Sequence, residues 1–231
     1  MATRNHPDNA NPEHHTRVRN RARTHFDQWA NSYDRSVLNE LVFFPTIRAC
    51  REQIIRWQQQ RGSQPYRLLD VGCGTGRLLT VLAEDSRAEA LVGLDFSAPM
   101  VQRVQEKIDN HGLHNRLSII HGDAEHLPFD QASFDVITCC NSFHHYPHQP
   151  AVIRGFHRVL KPGGMLILTD GFRDNVIGWF IFDVCVALVE GHVHHAPWSS
   201  VRRMFEQAGF KSLEQHKINV LAPLLVNVAT R

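Results

Sequence analysis

The sequence predicts an α/β fold built on a doubly wound, mostly parallel sheet of seven strands. After residue 65, short apolar runs alternate with amphipathic helical segments nearly to the C terminus, which is the pattern of repeated strand–helix–strand units. Several runs, including Leu68-Leu69 and Val136-Ile137-Thr138, are apolar on both faces, as strands covered by helices on both sides require. A turn with three glycines, Gly72, Gly74 and Gly76, directly follows the first run.

Residues 25–231 are expected to form one domain, preceded by a flexible tail. Residues 1–24 are rich in Asn, His, Pro and Arg and have too few large apolar side chains to offset the entropy of ordering. Residues 25–62 predict an N-terminal helical cover with a second helix over 46–60, and residues 171–198 predict a helical lid over the substrate. The expected strands are 67–71, 90–95, 117–121, 134–140, 165–169, 211–217 and 224–229.

Composition and charge exclude several classes of protein. The 25 basic and 23 acidic residues nearly cancel, which does not favour nucleic acid or an anionic membrane as the main partner. Five cysteines without a CxxC pair fit a reducing cytoplasm, and the N terminus lacks the apolar segment of a signal peptide. The apolar stretch 176–189 contains Asp183 and is shorter than the roughly 20 residues of a membrane span. No pattern indicates an oligomeric state.

The strongest chemical signal is the glycine turn itself. Asp70 ends the first apolar run, and the GxGxG pattern that follows lets the backbone pass close to a ligand where a Cβ atom would collide. Dinucleotide-binding enzymes usually carry GxGxxG, so the third glycine, Gly76, comes one residue too early for a nicotinamide dehydrogenase.

Acidic and polar residues follow the next three strands. Asp95 ends the second run and offers two acceptor oxygens for the two hydroxyls of a ribose; as a cap of the next helix, Ser97 is better placed. A Gly-Asp turn at Asp123 follows the third run. The fourth opens into the polar and aromatic loop 141–146, and because ligands gather at the carboxyl ends of parallel strands, this loop is expected to border the site.

These motifs together resemble the class I S-adenosylmethionine-dependent methyltransferases, most closely the subgroup of ubiquinone and menaquinone biosynthesis that acts on small molecules. The resemblance covers about residues 25–170. It implies a Rossmann-like methyltransferase fold with S-adenosyl-L-methionine as cofactor. The cofactor-binding residues that it implies are Tyr33, Asp70, Gly72, Cys73, Gly74, Gly76, Asp95, Phe96, Asp123, Ala124 and Asn141.

The resemblance also assigns roles within this set. The glycine turn is expected against the methionyl part and the ribose, with Asp70 positioning the ammonium group and Tyr33 facing the methionyl end. Asp123 is expected near the exocyclic amine of the adenine, and the Ala124 amide near a ring nitrogen. For Phe26 and Trp29 in the N-terminal cover, simple packing on the domain is an equally good interpretation.

Methyl transfer to a small-molecule acceptor is the expected reaction, with O- or C-methylation of a hydroxylated, aromatic or apolar metabolite favoured. A sulfonium already carries a good leaving group, so the protein mainly aligns the acceptor and excludes water. His144, His145 or His195 is the candidate base for an acceptor hydroxyl, because histidine titrates near neutrality. Spacing alone does not make the cluster at His192, His194 and His195 a metal site, and no metal is expected.

Two other functions stay open. One is a cofactor-binding regulatory protein that has lost methyl transfer. The other is an RNA methyltransferase whose arm of four arginines at 17–23 contacts phosphates, although Asn141-Ser142-Phe143-His144 stands where such enzymes carry an Asn-Pro-Pro-Tyr-type motif. Residues 171–198 carry no family motif, so the sequence does not indicate which acceptor is used.

Overall fold

The computed structural model describes residues 37–171, 196–218 and 224–231. Within these ranges the chain alternates strands and helices, as the sequence predicts. The helices are α1 (Val37–Gln60), α2 (Arg77–Leu82), α3 (Ala98–His111), α4 (Gln149–Val159) and α5 (Trp198–Ala208). The strands are β1 (Tyr66–Val71), β2 (Ala88–Asp95), β3 (Leu117–His121), β4 (Phe134–Cys140), β5 (Leu160–Gly171), β6 (Lys211–Ile218) and β7 (Leu224–Thr230).

All seven strands belong to one sheet, in the order β3-β2-β1-β4-β5-β7-β6. Strands β1 to β5 are parallel, while β7 is antiparallel to both β5 and β6. The predicted mostly parallel, doubly wound sheet is confirmed. After β1 the chain builds outward to β3 and then crosses back to β4, so the strand order reverses between β1 and β4, where ligands of such sheets bind.

Apolar side chains cover both faces of the sheet because neighbouring residues of a strand point to opposite sides. Leu69 packs in a core with Phe156 of α4 and Phe205 of α5. Leu68 packs in a second core with Ile54 of α1 and Leu79 of α2. The helices on the two faces hold the central strands in place, so that their carboxyl ends lie together on one side of the domain.

Two elements differ from the sequence prediction. Helix α1 begins at Val37 and passes through Pro45, whereas the predicted helix began at residue 46. Strand β5 is longer than the predicted range 165–169 and includes the segment Pro162-Gly163-Gly164. Leu160 pairs with Phe134 and Met165 with Val136, so the intervening residues bulge out of the ladder. Arg231 holds this bulge through backbone hydrogen bonds with Gly163 and Gly164, both 3.0 Å.

Among the described residues, no helix is long and apolar enough to cross a membrane. The predicted tail, the first helix of the cover and nearly all of the predicted lid lie outside the described residues.

Candidate active site

A cleft opens at the carboxyl ends of β1, β2, β3 and β4. Its walls come from the glycine turn, the end of β2, the loops after β3 and β4, and Ile47 of α1. Nine of the predicted cofactor-binding residues line it: Asp70, Gly72, Cys73, Gly74, Asp95, Phe96, Asp123, Ala124 and Asn141. Gly76 does not line the cleft, and Tyr33 lies outside the described residues.

The glycine turn packs against the loop after β4 on one side and faces the cleft on the other. Gly72 has a φ of 68°, and a Cβ atom there would lie 2.4 Å from the Ser142 Oγ and 2.7 Å from the Tyr146 hydroxyl. A Cβ atom at Gly74, with a φ of 53°, would meet nothing within 4 Å. The backbone at Gly74 therefore faces the cleft without a side chain, which allows a ligand to lie directly against it.

Gly76 serves packing between helices. It precedes α2, and a Cβ atom there would lie 3.0 Å from the Val104 Cγ2 of α3. Its place in the motif is therefore explained by its positive φ of 74° and by the close approach of α2 to α3.

The Asp95 carboxylate links the glycine turn to the start of α3. One oxygen accepts the Gly74 N–H at 2.7 Å and the other accepts the Ser97 N–H at 2.9 Å. Burial raises the pKa of Asp95, while the hydrogen bonds from backbone amides oppose the rise. A carboxylate has about four acceptor positions, so capping and ribose binding are compatible. Ser97 occupies the N-cap position, but its side chain makes no capping hydrogen bond, contrary to the sequence interpretation.

Asp70 is a second buried carboxylate, beneath the turn. Burial raises its pKa from 3.8 to about 7, the hydrogen bond from Thr138 Oγ1 lowers it, and nearby Asp95 raises it further. That hydrogen bond is 2.7 Å long and joins the ends of β1 and β4. A cationic ligand group would stabilise the ionised form of this carboxyl.

The loop after β3 is held in a compact turn. The Asp123 Oδ1 accepts the Glu125 N–H at 2.9 Å and so caps the 3₁₀ turn Ala124–His126. Gly122 donates its N–H to the Asp95 carbonyl at 3.0 Å, which ties the loop to β2. Asp123 and Ala124 are thereby held in the cleft wall next to Asp95.

Asn141 lies at the end of β4 in a strained conformation, with a φ of 53°. Its side-chain N–H donates to the Thr46 Oγ1 of α1 at 3.1 Å. Its Oδ1 is buried and has no hydrogen-bond partner in the part of the chain that the structure describes. An unsatisfied buried acceptor in a cleft wall fits a ligand that brings an N–H donor.

The three predicted histidines differ in their placement. His145 lines the cleft beside Ser142 and Tyr146. His144 does not line it and is buried, with its Nδ1 2.6 Å from the Asp170 Oδ1. His195 lies outside the described residues.

Several cleft residues were missed by the sequence reasoning. Arg77 directly follows the glycine motif and is the one Lys or Arg side chain among the described lining residues, which also include four carboxylates. Tyr146 ends the loop already expected to border the site. Ile47 could be found only from the packing of α1. The carboxylates of the cleft fit a ligand with two cationic groups, and the single guanidinium among these lining residues fits one anionic group on the same ligand.

Comparisons with known proteins agree with this geometry. A family model described as a methyltransferase domain matches residues 69–168. A demethylmenaquinone methyltransferase of Lactiplantibacillus plantarum is 30% identical over 215 residues, which cover 84% of this chain and 89% of that protein. One of Geobacillus kaustophilus is 31% identical over 211 residues, 82% of this chain and 88% of that protein.

The fold is shared with solved methyltransferases. The magnesium protoporphyrin IX methyltransferase of Synechocystis PCC 6803, with bound S-adenosylhomocysteine, superposes with a TM-score of 0.69 at 21% identity. The match covers 94% of this chain and 98% of that one. The chain therefore belongs to the class I S-adenosylmethionine-dependent methyltransferases of the ubiquinone and menaquinone type, which makes it an enzyme that methylates a small molecule with S-adenosylmethionine as cofactor.

Proposed function

We propose that this enzyme methylates a ring carbon of a reduced, hydroxylated quinone of the demethylmenaquinone type. The observation that carries the proposal is the extent of the similarity to demethylmenaquinone methyltransferases. It reaches well beyond the family domain at residues 69–168, over 84% of the chain. The similarity therefore extends to parts of the chain outside that domain, which supports an acceptor of the same class as that of these relatives.

The cleft offers a matching group for each part of the cofactor. Asp95 would accept the ribose hydroxyls, and the turn at Asp123 and Ala124 would meet the adenine. The Asn141 Oδ1, which has no partner among the described residues, and the Asp70 carboxylate would accept from the ammonium group, while Arg77 would pair with the methionyl carboxylate. Gly74 leaves the backbone open between them.

His145 is the imidazole of the loop after β4 that lines the cleft, and imidazole is the side chain that most often serves as a general base. Burial raises the pKa of its neighbour Tyr146, which stays a neutral hydroxyl and donates to the Ser142 Oγ at 3.1 Å. Burial also raises the pKa of the Cys139 thiol beneath this loop. His145 therefore takes the proton of an acceptor hydroxyl, which makes the ring carbon beside it more nucleophilic.

When bound, S-adenosylmethionine supplies a methyl group whose bond to sulfur breaks, leaving a neutral thioether. The acceptor ring gains the carbon–methyl bond, the proton of that ring carbon passes to solvent, and the ionised oxygen regains its proton from His145, so the oxidation state of the ring is unchanged. An oxidised quinone has no hydroxyl to ionise and a ring poor in electrons, and it is not an acceptor.

The test is product analysis with a short-chain demethylmenaquinone, reduced or oxidised, and labelled S-adenosylmethionine. We expect the reduced form alone to gain one methyl group, placed on carbon by NMR. His145→Asn should lower kcat by about 10²-fold with unchanged binding of S-adenosylhomocysteine, as loss of a general base does. A methyl ether as product would contradict carbon as the acceptor atom, and no product from an enzyme that binds the cofactor would refute the acceptor class.

We further infer that the enzyme acts in the cytoplasm. The four cysteines of the described ranges are free thiols, and two of them, Cys50 and Cys140, have Sγ atoms 3.3 Å apart. Such a neighbouring pair suits a reducing compartment. Cell fractionation followed by thiol labelling tests this: recovery outside the cytoplasm, or with these thiols oxidised, would contradict it.

A further inference from the structure

Behind the loop after β4 lies a buried carboxylate with no role in the site described so far. The Asp170 side chain, near the end of β5, is 10% exposed and the His144 side chain is 8% exposed. Asp170 Oδ1 lies 2.6 Å from His144 Nδ1 and accepts the Gly171 N–H at 2.7 Å, and its Oδ2 accepts the His144 backbone N–H at 2.8 Å. The carboxylate thus holds both the backbone and the ring of His144.

The ring of His144 is also in contact with the cleft-lining histidine. The centroids of the His144 and His145 rings are 3.9 Å apart, with 51° between their planes. Both residues belong to one 3₁₀ turn, Phe143–His145. The His145 N–H donates to the Ser142 carbonyl at 3.1 Å. A carboxylate, a buried imidazole and a cleft-lining imidazole therefore follow one another from β5 to the cleft.

We propose that Asp170 and His144 are positioning residues for His145 in methyl transfer. This proposal rests on the proposed function, in which His145 takes the acceptor proton. Asp170 fixes the His144 ring through its Nδ1 atom, and the His144 ring in turn supports the ring of His145.

Charge explains why a carboxylate is suited to this place. A buried carboxylate is costly unless it is compensated, and here both of its oxygens accept hydrogen bonds, which a neutral amide with one acceptor oxygen could not do. With both histidines neutral, the three groups carry one negative charge. When His145 takes a proton from the acceptor, their net charge becomes zero, so Asp170 favours the proton transfer. Without it, the same step would create a positive charge that this carboxylate no longer balances.

The decisive experiment is a double-mutant cycle on the full chain, with reduced short-chain demethylmenaquinone as acceptor. Asp170→Asn keeps the shape of the side chain but removes the charge and replaces one of its two acceptor oxygens with a donor NH₂ group. We expect its kcat to fall by about 10- to 100-fold, with KM and affinity for S-adenosylhomocysteine within about threefold of wild type. Because Asp170 acts through His145, the double variant Asp170→Asn/His145→Asn should be no slower than His145→Asn alone.

A matched control comes from the other end of β4. Asp135 is also largely buried, at 14% exposed, and its carboxylate pairs with Lys161 Nζ at 2.8 Å away from the cleft. Asp135→Asn should leave kcat and the affinity for S-adenosylhomocysteine unchanged even if it lowers the melting temperature. A wild-type kcat in Asp170→Asn, or losses that multiply in the double variant, would overturn the proposal.

A second measurement separates this inference from the choice of acceptor. If wild type does not methylate the reduced quinone, the proposed function fails, and the link between the three side chains is then decided by NMR of ¹⁵N-histidine-labelled enzyme bound to S-adenosylhomocysteine. We expect a strongly deshielded His144 Nδ1–H in wild type that Asp170→Asn abolishes, together with a change in the ring signals of His145. Ring signals of His145 that do not respond would refute the link.

Discussion

Replacing Gly72 with alanine introduces a methyl group where the turn touches the loop after β4. The new Cβ atom would lie 2.4 Å from the Ser142 Oγ, 2.6 Å from the Ser142 Cβ and 2.7 Å from the Tyr146 hydroxyl. Relief of this overlap by shifts in a well-packed region costs about 1–3 kcal/mol. The φ of 68° adds a left-handed penalty of roughly 1–2 kcal/mol for a residue with a side chain. Together they predict a loss of about 2–5 kcal/mol.

Gly74→Ala is the matched control because it shares the backbone penalty and lacks the overlap. Its φ is 53°, and its Cβ atom would meet nothing within 4 Å. It should therefore lose only about 1–2 kcal/mol of stability. Since its methyl group enters the open cleft, it should weaken S-adenosylhomocysteine binding by at least about tenfold, or roughly 1.4 kcal/mol.

Thermal unfolding followed by circular dichroism measures the difference between the two variants. For a protein of this size, the overlap of about 1–3 kcal/mol corresponds to a melting temperature roughly 2–12 °C lower for Gly72→Ala than for Gly74→Ala. Calorimetric titration with S-adenosylhomocysteine reports the cleft. Equal melting temperatures for the two variants would refute the explanation of Gly72 by packing, and unchanged ligand affinity in Gly74→Ala would refute the placement of the cofactor against Gly74.

Three further predictions concern charges in the cleft. Burial raises the pKa of Asp70 from 3.8 in the unfolded chain to about 7 in the folded enzyme. Between these two pH values the folded enzyme holds a proton that the unfolded chain has released. The stability of the ligand-free enzyme should therefore fall between about pH 4 and 7, by up to about 4 kcal/mol. Asp70→Asn should flatten this fall in thermal unfolding measured from pH 5 to 8, and an unchanged slope would contradict it. Asp95→Ala removes acceptors of two backbone N–H groups and of the ribose, and should weaken binding of both adenosine and S-adenosylhomocysteine by about 10- to 100-fold in calorimetry. Arg77→Gln should weaken only S-adenosylhomocysteine, by about tenfold, because adenosine has no carboxylate; an equal loss for adenosine would contradict the pairing.

The sheet could be predicted from the sequence because its signals are local. The runs at β3 and β4 are apolar and bounded by turns, and both strands have the predicted limits. Strand β5 was predicted too short because Pro162 and the glycines after it look like a turn. Their place in the strand depends on the pairing of Leu160 with Phe134 and on the hydrogen bonds of Gly163 and Gly164 with Arg231. These are contacts between residues distant in the sequence.

The cofactor side of the cleft depends on local sequence signals, whereas its acceptor side depends on contacts between distant residues. At Gly72 and Asp95 the chemistry is set by a short backbone turn, which leaves a pattern that can be found in one sequence. At His145 the chemistry depends on pairs far apart along the chain: Asp170 holds His144 across 26 positions. Such pairs leave no local pattern, so the sequence could name His144 and His145 together but could not tell which one faces the cleft. If the acceptor side of this fold is built mainly from distant pairs, relatives can change acceptor by exchanging residues outside the glycine motif while the cofactor site stays the same.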